Sequence, residues 1–208
     1  MSVFQEIKIM NPSATEPPPY PRLFEAILLA RHSVRAYAPD ELDRNTIHAL
    51  LNAAVHAPTA MHEEPWAFVV VQNKPLLKQL SDLAKPFFIE RLHHSPQAGS
   101  HAIDRFADPA FNLFYDAGTL ILICAKLSGP FVEADCWMAA ENLMLSAVAA
   151  GLGTCVIGSS IEALNTRIAK EKLDIPAEFK VVAAMIVGVP RGETAVTDRK
   201  APFVLAWK

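Results

Sequence analysis

The chain has 208 residues, of which 51% are hydrophobic and 20% charged, enough apolar surface to bury one large core. A formal net charge of −3 gives no electrostatic footprint for nucleic acid, so any anionic ligand has to be held by a local cluster. No signal peptide is evident, and the most apolar run, 138–151, is too short to span a bilayer and carries Glu141 and Asn142, which points away from a membrane protein.

Residues 1–21 carry five prolines, including PPPYP at 17–21, which disfavours regular structure and predicts an extended N-terminal arm before a single domain over 22–208. A helix is expected over about 22–31, then the turn RHSVR (31–35), then a helix over about 41–56 with Leu42, Ile47, Leu50, Leu51 and Ala54 at helical spacing. WAFVVV (66–71) reads as a buried strand and 74–83 as a helix. The segment 85–116, broken by Pro86, Pro96, Gly99 and Pro109, reads as short helices and loops able to cover a site.

TLILICA (119–125) is a second buried strand, and 133–150 a long helix with Gly151 as its C-cap. A short strand at 155–157, a helix at 162–172 and a third buried strand at 180–187 complete the order. Strands apolar on both faces, alternating with helices, predict an α/β (α+β sandwich) fold with a central mixed sheet flanked by helices.

Four segments carry candidate chemistry. RHSVR presents Arg31, Ser33 and Arg35 at alternating positions, a spacing able to hold one anion bidentately; a solvated basic turn at a helix end explains it too. APTAMHEEPW (57–66) joins a helix end to a strand, with small residues Thr59 and Ala60 and polar His62, Glu63 and Glu64; an ordinary connection fits equally. GLGTCVIGSS (151–160) holds three glycines around a short strand, of which Gly158 is the hardest to assign to a helix cap or turn. Near the C-terminus, Arg199 and Lys200 either complete an anion site or form a basic surface tail.

Metal and nucleophile signals are weak. His93, His94 and His101 with Asp104 fit no usual zinc spacing, so no metal is expected. Cys124, Cys136 and Cys155 form neither a CxxC pair nor an even set, which fits a reduced, cytoplasmic setting, and Cys155 has no neighbour in sequence that would activate a thiolate.

In this order, the segments resemble the nitroreductase family of FMN-dependent oxidoreductases over about residues 22–208. RHSVRAY is similar to the family's Arg-x-Ser-x-Arg-x-Phe opening, and APTAMHEEPW to its Ala-Pro-Ser-x-x-Asn-x-Gln-Pro-Trp segment. GLGTCVIG is similar to its Gly-Leu-Gly-Thr-Cys-Trp-Ile-Gly, and LDIPAEFKVVAAMIVGVP to its closing helix end, strand and Gly-Tyr-Pro turn.

The resemblance implies a homodimer with FMN at the subunit interface and a terminal extension embracing the partner. It implies that Arg31, Ser33 and Arg35, with His32 beside them, hold the phosphate and ribityl chain, joined by Arg199 or Lys200. Pro58, Thr59, Ala60 and His62 would flank the flavin from the other subunit, and Ile157 and Gly158 would bring backbone N–H close to flavin N5. The implied activity is ping-pong reduction of nitroaromatic, quinone or other conjugated acceptors with NADH or NADPH. The alternative is a flavin-binding or flavin-remodelling protein without efficient NAD(P)H turnover.

The chain departs from the family where His62 and Glu64 replace the usual Asn and Gln and Val156 replaces Trp. An inward Glu64 would make the flavin harder to reduce by like-charge repulsion; an outward one would face solvent or pair with an arginine.

Overall fold

The computed structural model describes residues 20–94, 100–126, 128–192 and 198–208. The arm expected over 1–21 lies outside them except for Tyr20 and Pro21.

Four strands, β1 (Trp66–Val71), β2 (Thr119–Ala125), β3 (Gly153–Val156) and β4 (Lys180–Gly188), form one sheet in the order β1-β2-β4-β3. The ladders joining them are antiparallel, and parallel pairing enters at an isolated bridge between Ser33 and Thr154. All of β2 is buried, as is β4 beyond Lys180, which is why both read as continuous apolar runs. The run 66–71 forms a strand with the expected bounds but lies at the sheet edge, where only Val71 is buried. An edge strand has one paired side, so its burial depends on neighbours the local sequence does not encode.

Alternate side chains of β2 point to opposite faces and nucleate two core layers. On one face, Leu50 of α2 (Arg44–Ala54) and Leu143 of α5 (Val132–Ala149) belong to the cluster holding Ile121, Ile123 and Met185. On the other, Leu80 of α3 (Lys74–His93) and Leu164 of α6 (Ile161–Leu164) join Leu120, Leu122 and Ile186. The remaining helices are α1 (Tyr20–Ala30), α4 (Ser100–Ala107) and α7 (Arg167–Lys172). Helices therefore cover both faces of the sheet.

Caps explain several boundaries. The Asp43 carboxylate accepts from Thr46 N at 2.9 Å and from the Thr46 hydroxyl at 2.7 Å, starting α2 at Arg44 rather than near 41. These bonds hold the Asp43 carboxyl below its usual range. The helix expected over 162–172 is two helices. Between them Asn165 turns its amide to Val181, donating to its O and accepting from its N at 2.9 Å each, and Thr166 caps α7. At the end of α5, Gly151 has φ +73° and Leu152 N donates back to Ala147 O at 2.8 Å, the expected left-handed cap.

The helix expected to end at 83 continues to His93 with Pro86 inside it. An interior proline costs about 3 kcal/mol, and here buried Leu77, Leu80 and Ala84 offset it. The neighbouring Lys85 is 7% exposed; its ammonium donates to Asp108 O at 3.0 Å and lies 3.4 Å from Asp82. It thereby ties α3 to the loop after α4.

Candidate functional site

RHSVR is not a solvated turn. Residues 31–38 run extended along the end of the sheet: Val34 N donates to Thr154 O and Ala38 N to Val189 O, both at 2.9 Å. Gly153 makes this approach possible, because a Cβ there would stand 2.6 Å from Val34 Cγ2. The segment is thus fixed by backbone pairing, with Val34 buried and Arg35 exposed.

Arg35 borders a cavity of about 210 Å³ with Cys155, Ile157 and Gly158, the residues that end β3 and open the next turn. Phe88, Phe106 and Tyr115 give it an aromatic wall. Gly158 has nothing within 4 Å of where a Cβ would stand and is not in the left-handed region, so neither packing nor backbone conformation demands glycine there. Its missing side chain keeps the cavity open.

Three of the residues singled out in the sequence, Arg35, Ile157 and Gly158, therefore meet at one cavity. Ser33 and Arg35 both act on the Cys155 thiol: burial pushes its pKa up, and these two neighbours oppose that only in part. Cys124 and Cys136 are pushed up by burial to about 11 and about 12. All three are buried free thiols, protonated near neutral pH and poorly placed as nucleophiles.

Arg31 lies 3.7 Å from Glu141 of α5, whose side chain is half exposed, a weak pairing that leaves the guanidinium available. His32 borders a different hollow, about 190 Å³, with Gly151, Pro190 and Gly192, and its Nδ1 lies 2.7 Å from Ala30 O. The structure does not bring His32 to the cavity of Arg35.

Pro58, Thr59, Ala60 and His62 sit in the loop before β1, at the sheet edge opposite β3. The loop is held in an unusual form: Met61, His62 and Glu64 have φ of 55°, 57° and 43°, sparsely populated for residues with a side chain. Ala60 N donates to the buried Asp135 carboxylate at 3.2 Å, fixing the loop to the start of α5. His62 and Glu64 are exposed, as are Arg199 and Lys200 in the C-terminal segment. Among the described residues no hydrogen bond or ion pair joins Arg199 or Lys200 to 31–35.

The sequence marks 85–116 as a segment able to cover a site but does not single out the aromatic wall that lines the cavity. Its signal was the density of rings, Phe87, Phe88, Phe106, Phe111, Phe114 and Tyr115, in a proline-broken segment that resists helix assignment.

The family model described as the Nitroreductase family matches residues 28–189. A protein of Archaeoglobus fulgidus, provisionally named NADH dehydrogenase/NAD(P)H nitroreductase, is 30% identical over 168 residues, covering 80% of this chain and 85% of its own. The fold is similar to that of an FMN-bound nitroreductase from Bacteroides fragilis, with a TM-score of 0.73 and 25% identity over 86% of this chain and 94% of the other. An iodotyrosine deiodinase bound to FMN and 3-iodo-L-tyrosine shares the fold at a TM-score of 0.73 and 19% identity, covering 87% of this chain and 97% of its own. With the family model spanning most of the chain and the four segments in register, this chain belongs to the nitroreductase family.

Proposed function

We propose that this protein is an FMN-dependent oxidoreductase that uses NADH or NADPH to reduce nitroaromatic, quinone or other conjugated acceptors. The observation that carries this reading is the convergence of Arg35, Ile157 and Gly158 on one cavity left open at Gly158.

The residues fit the cofactor. The guanidinium groups of Arg31 and Arg35 and the Ser33 hydroxyl form a donor set suited to a phosphate and a ribityl chain. The N–H of Gly158 opens a 3-10 turn, where the first N–H groups lack an intrahelical acceptor and are free for a ring nitrogen. When bound, FMN supplies hydride and electron transfer. The chain's own part would be to hold the phosphate with Arg31, Ser33 and Arg35, offer the Gly158 N–H to the ring, and exclude water with the cavity's aromatic side chains.

The site is completed in a homodimer on this reading. The cavity of about 210 Å³ is below the usual range of about 300–1,000 Å³ for cofactor pockets. Within one chain, loop 58–62 and Gly158 lie at opposite edges of four strands, roughly 14 Å apart at the usual strand spacing. Thr59, Ala60 and His62 would therefore come from the partner. Leu23, Phe24, Leu28 and Leu29 of α1 and Phe203, Leu205 and Trp207 of the C-terminal segment are exposed apolar groups suited to that interface. Arg199 or Lys200 would reach the phosphate as this segment wraps the partner. We read 22–208 as one domain carrying this site, preceded by the proline-rich arm.

The second reading, flavin binding without efficient turnover, draws on His62 and Glu64 in place of neutral amides. The visible spectrum of the purified protein, before and after added FMN and then under anaerobic NADH or NADPH, separates the two. A flavin spectrum that bleaches supports the oxidoreductase; one that persists supports the second reading; a protein that binds no FMN excludes both.

A further inference from the structure

The aromatic residues lining the cavity, Phe88, Phe106 and Tyr115, belong to a chain of edge-to-face pairs in which Phe111, outside the lining, links Phe106 to Tyr115. Ring centroids of Phe88 and Phe106 lie 4.6 Å apart, Phe106 and Phe111 5.3 Å, and Phe111 and Tyr115 5.5 Å. The guanidinium of Arg105, on α4, lies 4.7 Å from the Phe111 ring centroid and 5.6 Å from that of Tyr115. Arg35 stands 6.0 Å from the same Tyr115 ring. Arg35 lines the cavity, whereas Arg105 is exposed on α4 outside its lining, so the Tyr115 ring joins the cavity to a second, solvent-facing cation.

That arrangement is held in place rather than incidental. Tyr115 and Asp116 have φ of 52° and 55°, a left-handed conformation that costs energy for residues with a side chain. Two carboxylates of the same segment make other hydrogen bonds: Asp108 accepts from Ala110 N and Asp116 from Asn112 Nδ2, each at 2.8 Å. Among the described residues no carboxylate pairs with Arg105. Its guanidinium lies within cation–π range of both rings, and among the described residues its N–H donors are left for an anion.

We propose that Arg105 is a specificity-determining residue that selects aromatic acceptors carrying a carboxylate, the ring lying against Phe106 and Tyr115 and the carboxylate meeting the guanidinium. This rests on the flavin oxidoreductase reading above. For a nitroaromatic acceptor, two electrons and two protons from the dihydroflavin convert the nitro group to a nitroso group and one water, and the flavin returns to its oxidised form. The carboxylate takes no part in that balance, so its effect is on binding alone. A phosphate of the dinucleotide donor carries the same charge chemistry, and separate half-reactions distinguish the two.

The test uses the FMN-loaded protein and two acceptors that differ in charge, 4-nitrobenzoate and its methyl ester. Flavin reduction by NADH and NADPH and reoxidation by each acceptor are followed separately in the wild type, R105M and R105K. The expected result is a fall of about tenfold in kcat/KM for 4-nitrobenzoate in R105M, carried by KM, with the methyl ester and flavin reduction within about twofold and most of the loss restored in R105K. An equal loss on both acceptors, no loss on either, or a loss on flavin reduction by the dinucleotide overturns the role of Arg105. A flavin that neither donor bleaches overturns the oxidoreductase reading and this acceptor role with it.

Discussion

Val34 occupies the space that a side chain at Gly153 would need: a Cβ on Gly153 would stand 2.6 Å from Val34 Cγ2 and 2.7 Å from Val34 Cβ. The backbone pairing of Val34 with Thr154 therefore depends on a residue two positions before Cys155, and the placement of Arg31 to Arg35 depends on both. Gly153→Ala forces one of the two strands to move. Overpacking of this kind costs about 1–3 kcal/mol. A urea melt is expected to show that loss, and fluorescence titration a flavin dissociation constant raised by about tenfold or more.

Gly158 gives the opposite separation of effects. The space beside it is open, so Gly158→Val is expected to change stability by no more than about 0.5 kcal/mol while placing a branched side chain in the cavity. Flavin affinity is expected to fall by about tenfold or more with the melting temperature nearly unchanged. A large drop in melting temperature would mean that Gly158 is needed for folding instead.

A shared site makes a prediction about mixtures. Arg35→Glu and Thr59→Trp are each expected to leave the homodimer without flavin. Co-refolded, the two variants form mixed dimers in which one site carries both changes and the other carries neither. Flavin absorbance should then return to about one FMN per mixed dimer. Mixtures as colourless as their parents would place 31–35 and 58–62 in separate roles.

The buried thiols set an alkaline limit on stability. Cys124 and Cys136 are raised by burial to about 11 and about 12 from the ordinary 9.0. The unfolded chain therefore releases these protons at lower pH than the folded one. The stabilising effect is complete below pH 9 and is lost as pH rises from there towards 11 for Cys124 and 12 for Cys136. Urea melts at pH 8 and pH 10 are expected to show a smaller loss for the Cys124→Ala/Cys136→Ala variant than for the wild type. Equal losses would assign the alkaline sensitivity to other groups.

Much of the fold is legible in the residues because β2 and β4 are buried on both faces and leave unbroken apolar runs. Edge position is not, since the run 66–71 resembles the central strands although only Val71 is buried. The continuation of α3 through Pro86 was hidden because long-range packing of Leu80 and Ala84 outweighs a local penalty. RHSVR was visible as a motif, but its extended conformation depends on Gly153, more than a hundred residues away. The left-handed backbone at Met61, His62 and Glu64 has no local signature, because none of them is glycine or asparagine.

Flavin-mediated electron transfer from dinucleotide to acceptor is read in one anaerobic cycle on the purified, FMN-loaded protein. A stoichiometric amount of NADH or NADPH is added first, then a nitroaromatic or quinone, with the flavin absorbance followed throughout. The flavin is expected to bleach with the dinucleotide and recover with the acceptor, and Arg35→Ala protein to retain less flavin to begin with. A protein that binds no FMN, or a bound flavin that neither dinucleotide bleaches, would contradict this transfer.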